Sequence, residues 1–565
     1  MKEILITEIR KALAQVGAEP SREIVIEKPN DEKFGDASSN VAMMLAKELK
    51  KNPRQIAQEL VSKLQFNPEQ IERIDIAGAG FINFYFSKSL LHQRLREVLD
   101  QGDEFGKSAV GAGKKAIVEY VSANPTGPLT VGRGRGGVLG DCIANLLEAQ
   151  GYSVTREYYF NNAGRQMRLL ADSVRLRYLE RCGESVSFPD DYYQGGYIKD
   201  IAEKIFDEKR DALKTDALKT DPELTSFKEF AEAEIFEGIK QTLLRLGIKH
   251  DSFFNENSLY AKMESGKSRN EQVIEMLEQK GFIEHKEGAV WFKTSLLGKK
   301  KVEDGKEIPV DTVLIKSTGE PSYRLPDIAY HTTKYARGFD LIVNIFGADH
   351  IDEYPDVARA LDVLGYDASR IKVAINQFVT TTVGGEQVKM STRKGNADTL
   401  DALIDEVGAD ATRFFFVMRA KETHLNFDLK LAKKQSSDNP VFYLQYAHAR
   451  ISGIIRVAEE KAMLDAEEIP RDFVKFLDTK EELDLAKELM RFPDAVSFAA
   501  TSLEPQKMIT YLNGVAELFH KFYQDCRIVG EAESVMKSRL LLALATRQVL
   551  RNGFKTLGIS APDRM

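Results

Sequence analysis

The chain has 565 residues, too many for one hydrophobic core, so three or four domains are expected. Hydrophobic residues make up 43% and charged residues 29%, a balance that predicts a soluble globular protein, and no stretch reaches the about 18 uninterrupted apolar residues of a membrane span. A formal net charge of −7 excludes a coat of non-specific basic charge but leaves room for a local basic groove that binds nucleic acid.

Cys142, Cys182 and Cys526 lie far apart with no CxxC pair, which predicts a reducing cytoplasm and no cysteine-framed zinc site. The eight histidines are scattered, with no HExxH. The opening MKEILITEIRKALAQVG mixes charge with apolar residues as an amphipathic helix does, unlike a signal peptide. Residues 1–110 read as a separate α+β unit. A first helix leads to Ile24–Ile26, a second follows Asp36, strands at Ile74–Ile76 and Phe81–Phe86 are joined by Gly78-Ala-Gly80, and a third helix spans about Lys88 to Leu99.

From 114 to 395, strand and helix alternate as a doubly wound sheet requires. Ala116–Val121 is the apolar run of a buried parallel strand. A loop with Asn124, Pro125, Gly127 and Pro128 follows, then Gly132, Gly134, Gly136 and Gly137, with helical spacing from about Arg135. Strand, glycine-rich loop and helix N-terminus together build a phosphate site, although neither GxxxxGK[ST] nor GxGxxG is present. Ser153–Phe160 is a second strand, and a helical stretch from about 163 to 247 reads as an insertion. Within that stretch DALKTDALKT (Asp211–Thr220) is a tandem repeat of five residues, expected to be exposed and neutral. The sheet is expected to resume with Ala289–Phe292 and Thr312–Lys316. A helix carrying Tyr323 and Asp327 follows, then the strand Leu341–Phe346, a helix Asp352–Leu364 and the strand-like Ile371–Phe378. After Asn396 the pattern is almost wholly helical, with segments near 428–459, 505–526 and 533–556.

Val388-Lys-Met-Ser-Thr-Arg-Lys-Gly-Asn396 places three cations within six residues, a set that suits a clamp on a polyphosphate whose charge grows as pyrophosphate leaves. Together with PTGPLxxG upstream and a helical C-terminus downstream, this segment makes the chain resemble the class I aminoacyl-tRNA synthetases, and in detail the bacterial arginyl-tRNA synthetases. VEYVSANPTGPL, REYYFNNAGRQM, EGAVWF, the Tyr323–Asp327 segment, GADH, VKMSTRKGN, VGADATRFFFVMR, NPVFYLQYAHARI and LGISAPDRM look like family blocks in family order over about 450 residues.

The resemblance implies a multidomain α/β plus all-α architecture. A small α+β N-terminal domain (1–110) would bind the tRNA corner, and a Rossmann-like doubly wound catalytic domain with a helical insertion (114–395) would precede a helical-bundle anticodon-binding domain (396–565). It implies ATP with Mg2+, L-arginine and tRNA(Arg) as substrates, no structural metal, a cytoplasmic monomer, and activation that requires bound tRNA. Thr130, Arg133, Lys389 and Lys394 would be catalytic. Ala123, Pro125, Thr126, Gly127, Pro128, Gly132, Gly134, Met390 and Ser391 would bind ATP. Asn124, Glu256, Tyr323, Asp327 and His350 would hold arginine. Tyr323 and Asp327, at i and i+4, share a helix face provided Pro326 falls in the first turn, and carboxylates are the natural partners of a five-donor guanidinium fork. Phe81 and Asn83 would read an unstacked base of the tRNA, or Phe81 would be a core residue. Tyr446 and Arg450 would contact the anticodon side, where Tyr443, His448, Lys537, Arg539, Arg547 and Arg551 offer further stacking or phosphate contacts. One departure stands out: the family's HxGH is Thr130-Val-Gly-Arg133 here. Three readings follow. The chain is a working variant with Arg133 as a phosphate clamp, a slowed enzyme, or a degenerate paralogue that acts as a tRNA-binding or regulatory protein.

Overall fold

Five parallel strands organise the chain, in the spatial order Ile371–Asn376, Leu341–Gly347, Lys115–Glu119, Ser153–Phe160, Ser252–Asn255. The first of these in sequence is the middle one in space, and the chain winds away from it on both sides. The order therefore reverses between Lys115–Glu119 and Leu341–Gly347, and a crevice opens beyond the carboxyl ends there, the usual ligand position of such sheets. This computed structural model describes residues 1–19, 23–29, 31–218, 224–303, 305–348, 354–387, 399–462 and 464–565.

Three expectations change. Ala289–Phe292 and Thr312–Ile315 do not belong to the parallel sheet; they pair antiparallel with each other, and Ile283–Lys286 completes a separate three-stranded sheet. The parallel strand next to Ser153–Phe160 is instead Ser252–Asn255, so the helices Gly164–Arg181, Gly196–Lys209 and Thr225–Arg245 form the crossover between two neighbouring parallel strands. A parallel pair requires such a crossover. The repeat within it is not uniformly exposed: Ala212 faces solvent, while Ala217 is fully buried and its carbonyl accepts from Arg175 Nη1 at 2.7 Å. Advancing five residues turns a helix well past one full turn, so the two copies cannot share a face.

The third change concerns the glycine cluster. The helix begins at Val131, not near Arg135, with Thr130 as its N-cap, so the cluster lies inside the first turns. Glycine is a poor helix former, and close packing explains its presence. A Cβ on Gly134 would come 2.6 Å from Leu400, and one on Gly140 would come 2.3 Å from Tyr120. These glycines let the helix lie directly on the sheet and on the helix Leu400–Val407.

The N-terminal region is an antiparallel four-stranded sheet, ordered Ile26–Glu27, Ala37–Ser39, Phe81–Phe86, Ile71–Ala77, covered by the helices Lys2–Gln15, Val41–Leu49, Pro53–Val61 and Lys88–Gln101 around their own core. Beyond residue 399 the described chain is mainly helical, with the long helices Pro440–Ala462, Gln506–Asp525 and Glu533–Leu557. Its strand Leu425–Asp428 runs parallel to Val379–Val383 and ties this part back to the central body. Arg413 makes a second tie. Its guanidinium is 1% exposed and donates to the Leu557 carbonyl (2.9 Å), the Leu246 carbonyl (2.7 Å) and Asp141 Oδ2 (2.6 Å).

Candidate active site

The end of the crevice at the start of the helix Val131–Ala149 is built mostly from backbone. Thr130 Oγ1 accepts from the Arg133 amide at 3.4 Å, which caps the helix Val131–Ala149. The helix start lies beside a cleft lined by Thr130, Gly132, Arg133, Gly347, Asn376 and Phe378. Nothing lies within 4 Å of where a Gly132 Cβ would be, so an anion can approach the helix end and its dipole closely. Thr399 bridges to Thr130, and the Leu400 amide donates to the Leu129 carbonyl at 2.8 Å, so the chain returns to the helix start directly after residue 398. Lys389, Met390, Ser391, Lys394 and His350 lie outside the described residues.

The loop Ala123–Pro128 is held through its carbonyls: Tyr158 donates to Ala123 and Tyr197 to Thr126, both at 2.8 Å. Gly127 is required where Tyr197 crosses it, since a Cβ would come 3.0 Å from the phenol oxygen. Asn124 accepts from the Asn161 amide and donates to Gln166 Oε1, each at 3.1 Å, so its exposed side chain is already oriented. Val121 and Ser122 just before it have φ of 69° and 40°, costly for residues with a Cβ and commonest where function fixes the backbone. Arg133 Nη1 donates to the Val121 carbonyl at 3.4 Å and braces this turn from outside.

Beside the sheet the site is built from buried charge. Asn344, Glu119, Glu157 and Ser252 stand in register across four adjacent strands, forming one polar row across the sheet. The helix Arg324–Ala336 packs over that row. Lys334 reaches Glu119 Oε2 at 2.7 Å, Tyr330 donates to Glu157 Oε1 at 2.6 Å, and Arg337 forks onto both Glu157 oxygens. Burial works to raise the Glu157 carboxyl, but the Arg337 and Tyr330 hydrogen bonds outweigh it and hold the group below its ordinary value. Pro326 falls in the first turn, as the Tyr323–Asp327 reading requires.

Glu256 accepts from two phenols. Tyr159 donates to Glu256 Oε2 at 2.8 Å, and Tyr260 donates to Oε1 at 3.0 Å. Burial first, then the carboxylates of Glu256, Asp327 and Glu119, push the Tyr159 phenol well above its ordinary value. Glu256 is 9% exposed, and each of its oxygens keeps a lone pair for a further donor. Tyr323 is 81% exposed, and the next residue, Arg324, donates from Nε to the buried Asp356 at 3.0 Å.

The structure also picks out residues that the sequence did not. Arg135, in the same GRGRGG run as Arg133, is buried and donates to four carbonyls, those of Phe416, Gln377, Thr423 and Ala420. It is a clamp on the fold, and burial pulls its guanidinium down to about 10. Asn376 Oδ1, buried beside the helix start, has no hydrogen-bond partner among the described residues, and a nucleotide donor would satisfy it. Among the same residues no group of three or more His, Cys, Asp or Glu could hold a metal ion.

Phe81 is 41% exposed and lines a cavity with Phe34, Lys28, Ser38 and Asn83, so it is not a core residue. Asn83 is 2% exposed and accepts from Ser38 Oγ at 2.6 Å. Tyr446 is 42% exposed and stacked on Phe442, and the Arg450 guanidinium lies 4.8 Å from the Tyr523 ring centre. His448 is not available for stacking: it is buried, with Nδ1 2.8 Å from the Pro562 carbonyl. Arg539 pairs with the buried Glu482 and Arg547 with Glu467.

A doubly wound parallel sheet, an anion-binding helix start at its switch point and a helical C-terminal region describe a class I aminoacyl-tRNA synthetase, and the family "tRNA synthetases class I (R), catalytic domain" matches residues 94–435. The family "Arginyl tRNA synthetase N terminal domain" matches 3–86 and "DALR anticodon binding domain" matches 444–565. The chain is 60% identical over the full length of both sequences to the arginine–tRNA ligase of Prosthecochloris aestuarii. It is 60% identical to that of Chlorobium phaeovibrioides, covering 99% of each. The chain belongs to the arginyl-tRNA synthetase family. The solved Thermus thermophilus arginyl-tRNA synthetase, 23% identical, shares the fold over 100% of both chains with a TM-score of 0.77.

Proposed function

We propose that the chain joins L-arginine to tRNA(Arg) in two steps. First, an oxygen of the arginine carboxylate attacks the α-phosphorus of ATP, which enters as its Mg2+ complex, and pyrophosphate leaves. Then a hydroxyl of the terminal tRNA ribose attacks the carbonyl carbon of arginyl-adenylate, and AMP leaves. Neither step needs a covalent enzyme intermediate, so positioning and electrostatics carry the rate.

The observation that carries the reading is the placement of two carboxylates around Tyr159: Glu256 accepts from its phenol at 2.8 Å, and Asp327 acts on it through space. Two carboxylates with lone pairs to spare match a guanidinium, and a single ammonium would leave acceptors unmet. In this reading Asn124 holds the α-amino group, with Tyr323 and His350 completing the arginine pocket. Ala123, Pro125, Thr126, Gly127, Pro128, Gly132, Gly134, Met390 and Ser391 bound the ATP. Thr130 contributes the helix cap, and Arg133, Lys389 and Lys394 meet phosphate charge, which supports a working variant of the HxGH site. Phe81 and Asn83 read a loop base of the tRNA, with residues 1–110 as the tRNA-corner domain. Residues 114–395 carry the chemistry, and residues 396–565 bind the anticodon side through Tyr446 and Arg450. The protein acts as a cytoplasmic monomer.

ATP–pyrophosphate exchange with each amino acid, with and without total tRNA, tests the reading. Exchange with arginine alone among the amino acids, and only when tRNA is present, is the expected result. Exchange with another amino acid, or none under any condition, overturns it.

A further inference from the structure

Asp327 stands at the outer end of a buried chain of polar contacts whose direction the donor chemistry determines. Lys334, fully buried, places Nζ 2.7 Å from Glu119 Oε2, 2.8 Å from Asn344 Oδ1 and 4.1 Å from the centre of the Tyr330 ring, so each of its three protons has a target. An ammonium only donates, so the Asn344 atom it meets must be the oxygen, and the amide nitrogen must face the other way. That nitrogen lies 2.8 Å from His331 Nε2 and donates to it, which leaves no room for a proton on Nε2. The ring proton is therefore on Nδ1, which donates to the Asp327 carbonyl at 2.8 Å with the Asp327 carboxylate oxygen Oδ1 alongside at 3.0 Å. At the inner end Glu119 Oε1 accepts from Ser122 Oγ at 3.1 Å, in the strained turn before Asn124.

We infer that His331, Asn344 and Lys334 are positioning residues for arginine recognition: together they hold His331 as a neutral Nδ1–H donor, which aims Asp327 without neutralising it. An imidazolium in that place would supply the positive charge that the substrate guanidinium is meant to supply, and would compete with it for the carboxylate. His331 has 0% side-chain exposure while Asp327 keeps 29%, so the ring acts from behind and the free oxygen surface points outward. The inference rests on the proposed role of Asp327 and adds to it the device that preserves its charge.

Four variants and one spectrum test it. Asp327→Asn comes first: if the arginine KM does not rise, the underlying reading of the pocket fails. With that control positive, His331→Leu is expected to raise the arginine KM about tenfold, the size of one hydrogen bond to a charged group, with the ATP and tRNA KM values unchanged. His331→Gln, which keeps one acceptor and one donor, is expected to recover most of the loss. Asn344→Asp reverses the middle link, because a carboxylate accepts from Nε2–H. The ring then carries two protons, and the arginine KM is expected to rise at least as far as in His331→Leu. In 15N spectra of histidine-labelled enzyme, His331, assigned by its absence from His331→Gln, is expected to show one protonated nitrogen and one bare nitrogen, the bare signal being lost in Asn344→Asp. A wild-type ring protonated at Nε2 overturns the inference. So does a His331→Leu variant whose arginine and ATP KM values rise together, or one that loses only thermal stability. If His331→Leu fails to fold, the KM and spectrum of Asn344→Asp decide the question.

Discussion

The two ends of the crevice solve the problem of holding charge in opposite ways. At the nucleotide end the donors are first-turn amides of the helix Val131–Ala149, and the side chains there are exposed, as with Arg133, or absent, as with Gly132. At the end proposed for the amino acid the acceptors are side chains: Glu256, held by the phenols of Tyr159 and Tyr260, and Asp327, backed by the buried His331. The difference follows from the ligands. Phosphate accepts, and a helix start supplies aimed donors at no side-chain cost. A guanidinium only donates, so it needs carboxylates, and a carboxylate away from water must be immobilised and kept charged.

If this contrast is right, side-chain changes at the amino-acid end should cost far more than changes at the nucleotide end. The largest effect is expected for Asp327→Ala, with kcat/KM for arginine down about a thousandfold in aminoacylation, or about 4 kcal/mol, and the ATP KM nearly unchanged. A loss below tenfold would break the contrast. Glu157→Gln, beneath the same pocket, should cost about 3 kcal/mol in denaturant unfolding by leaving Arg337 without a matching charge.

His250 packs 4.4 Å from the Tyr120 ring, and burial lowers its pKa from 6.5 to about 4. Between those values the folded state holds fewer protons than the unfolded one. Its contribution is therefore complete above about pH 6.5 and falls away toward pH 4, by up to about 3 kcal/mol. His250→Phe should flatten that limb of the stability curve. Thr130→Ala should cost only about 1 kcal/mol as a lost cap. Arg133→His should change the aminoacylation rate least, by about threefold or less, since the amides remain in place.

The contrast also decides what the sequence revealed. Strands Ser153–Phe160 and Leu341–Gly347 and the long C-terminal helices were legible because apolar spacing marks them. The pairing of Ala289–Phe292 was not, because a four-residue apolar run does not say which sheet it joins. The start of the nucleotide helix was hidden because glycine weakens the helical pattern, and the reason for glycine is packing against Leu400 and Tyr120, which are distant in the chain or reached only after a turn. Glu256, Tyr323 and Asp327 came from family resemblance; no local pattern distinguishes them from surface residues. The relay behind Asp327 did leave a trace: Glu119 and Asn344 are single polar residues inside the apolar runs AIVEYV and LIVNIF. A buried strand tolerates such a residue only when something across the sheet or on the covering helix satisfies it.

Arg413 carries a consequence for how the molecule comes apart. The same guanidinium holds the last turn of Glu533–Leu557, the end of the crossover at Leu246 and Asp141 of the nucleotide helix, and it packs so tightly against Gly558, at φ 65°, that a Cβ there would come 2.1 Å from Nη2. None of the three helix segments can leave without uncovering a charge buried for the other two. The segments that Arg413 joins are therefore expected to unfold together, as one transition in calorimetry.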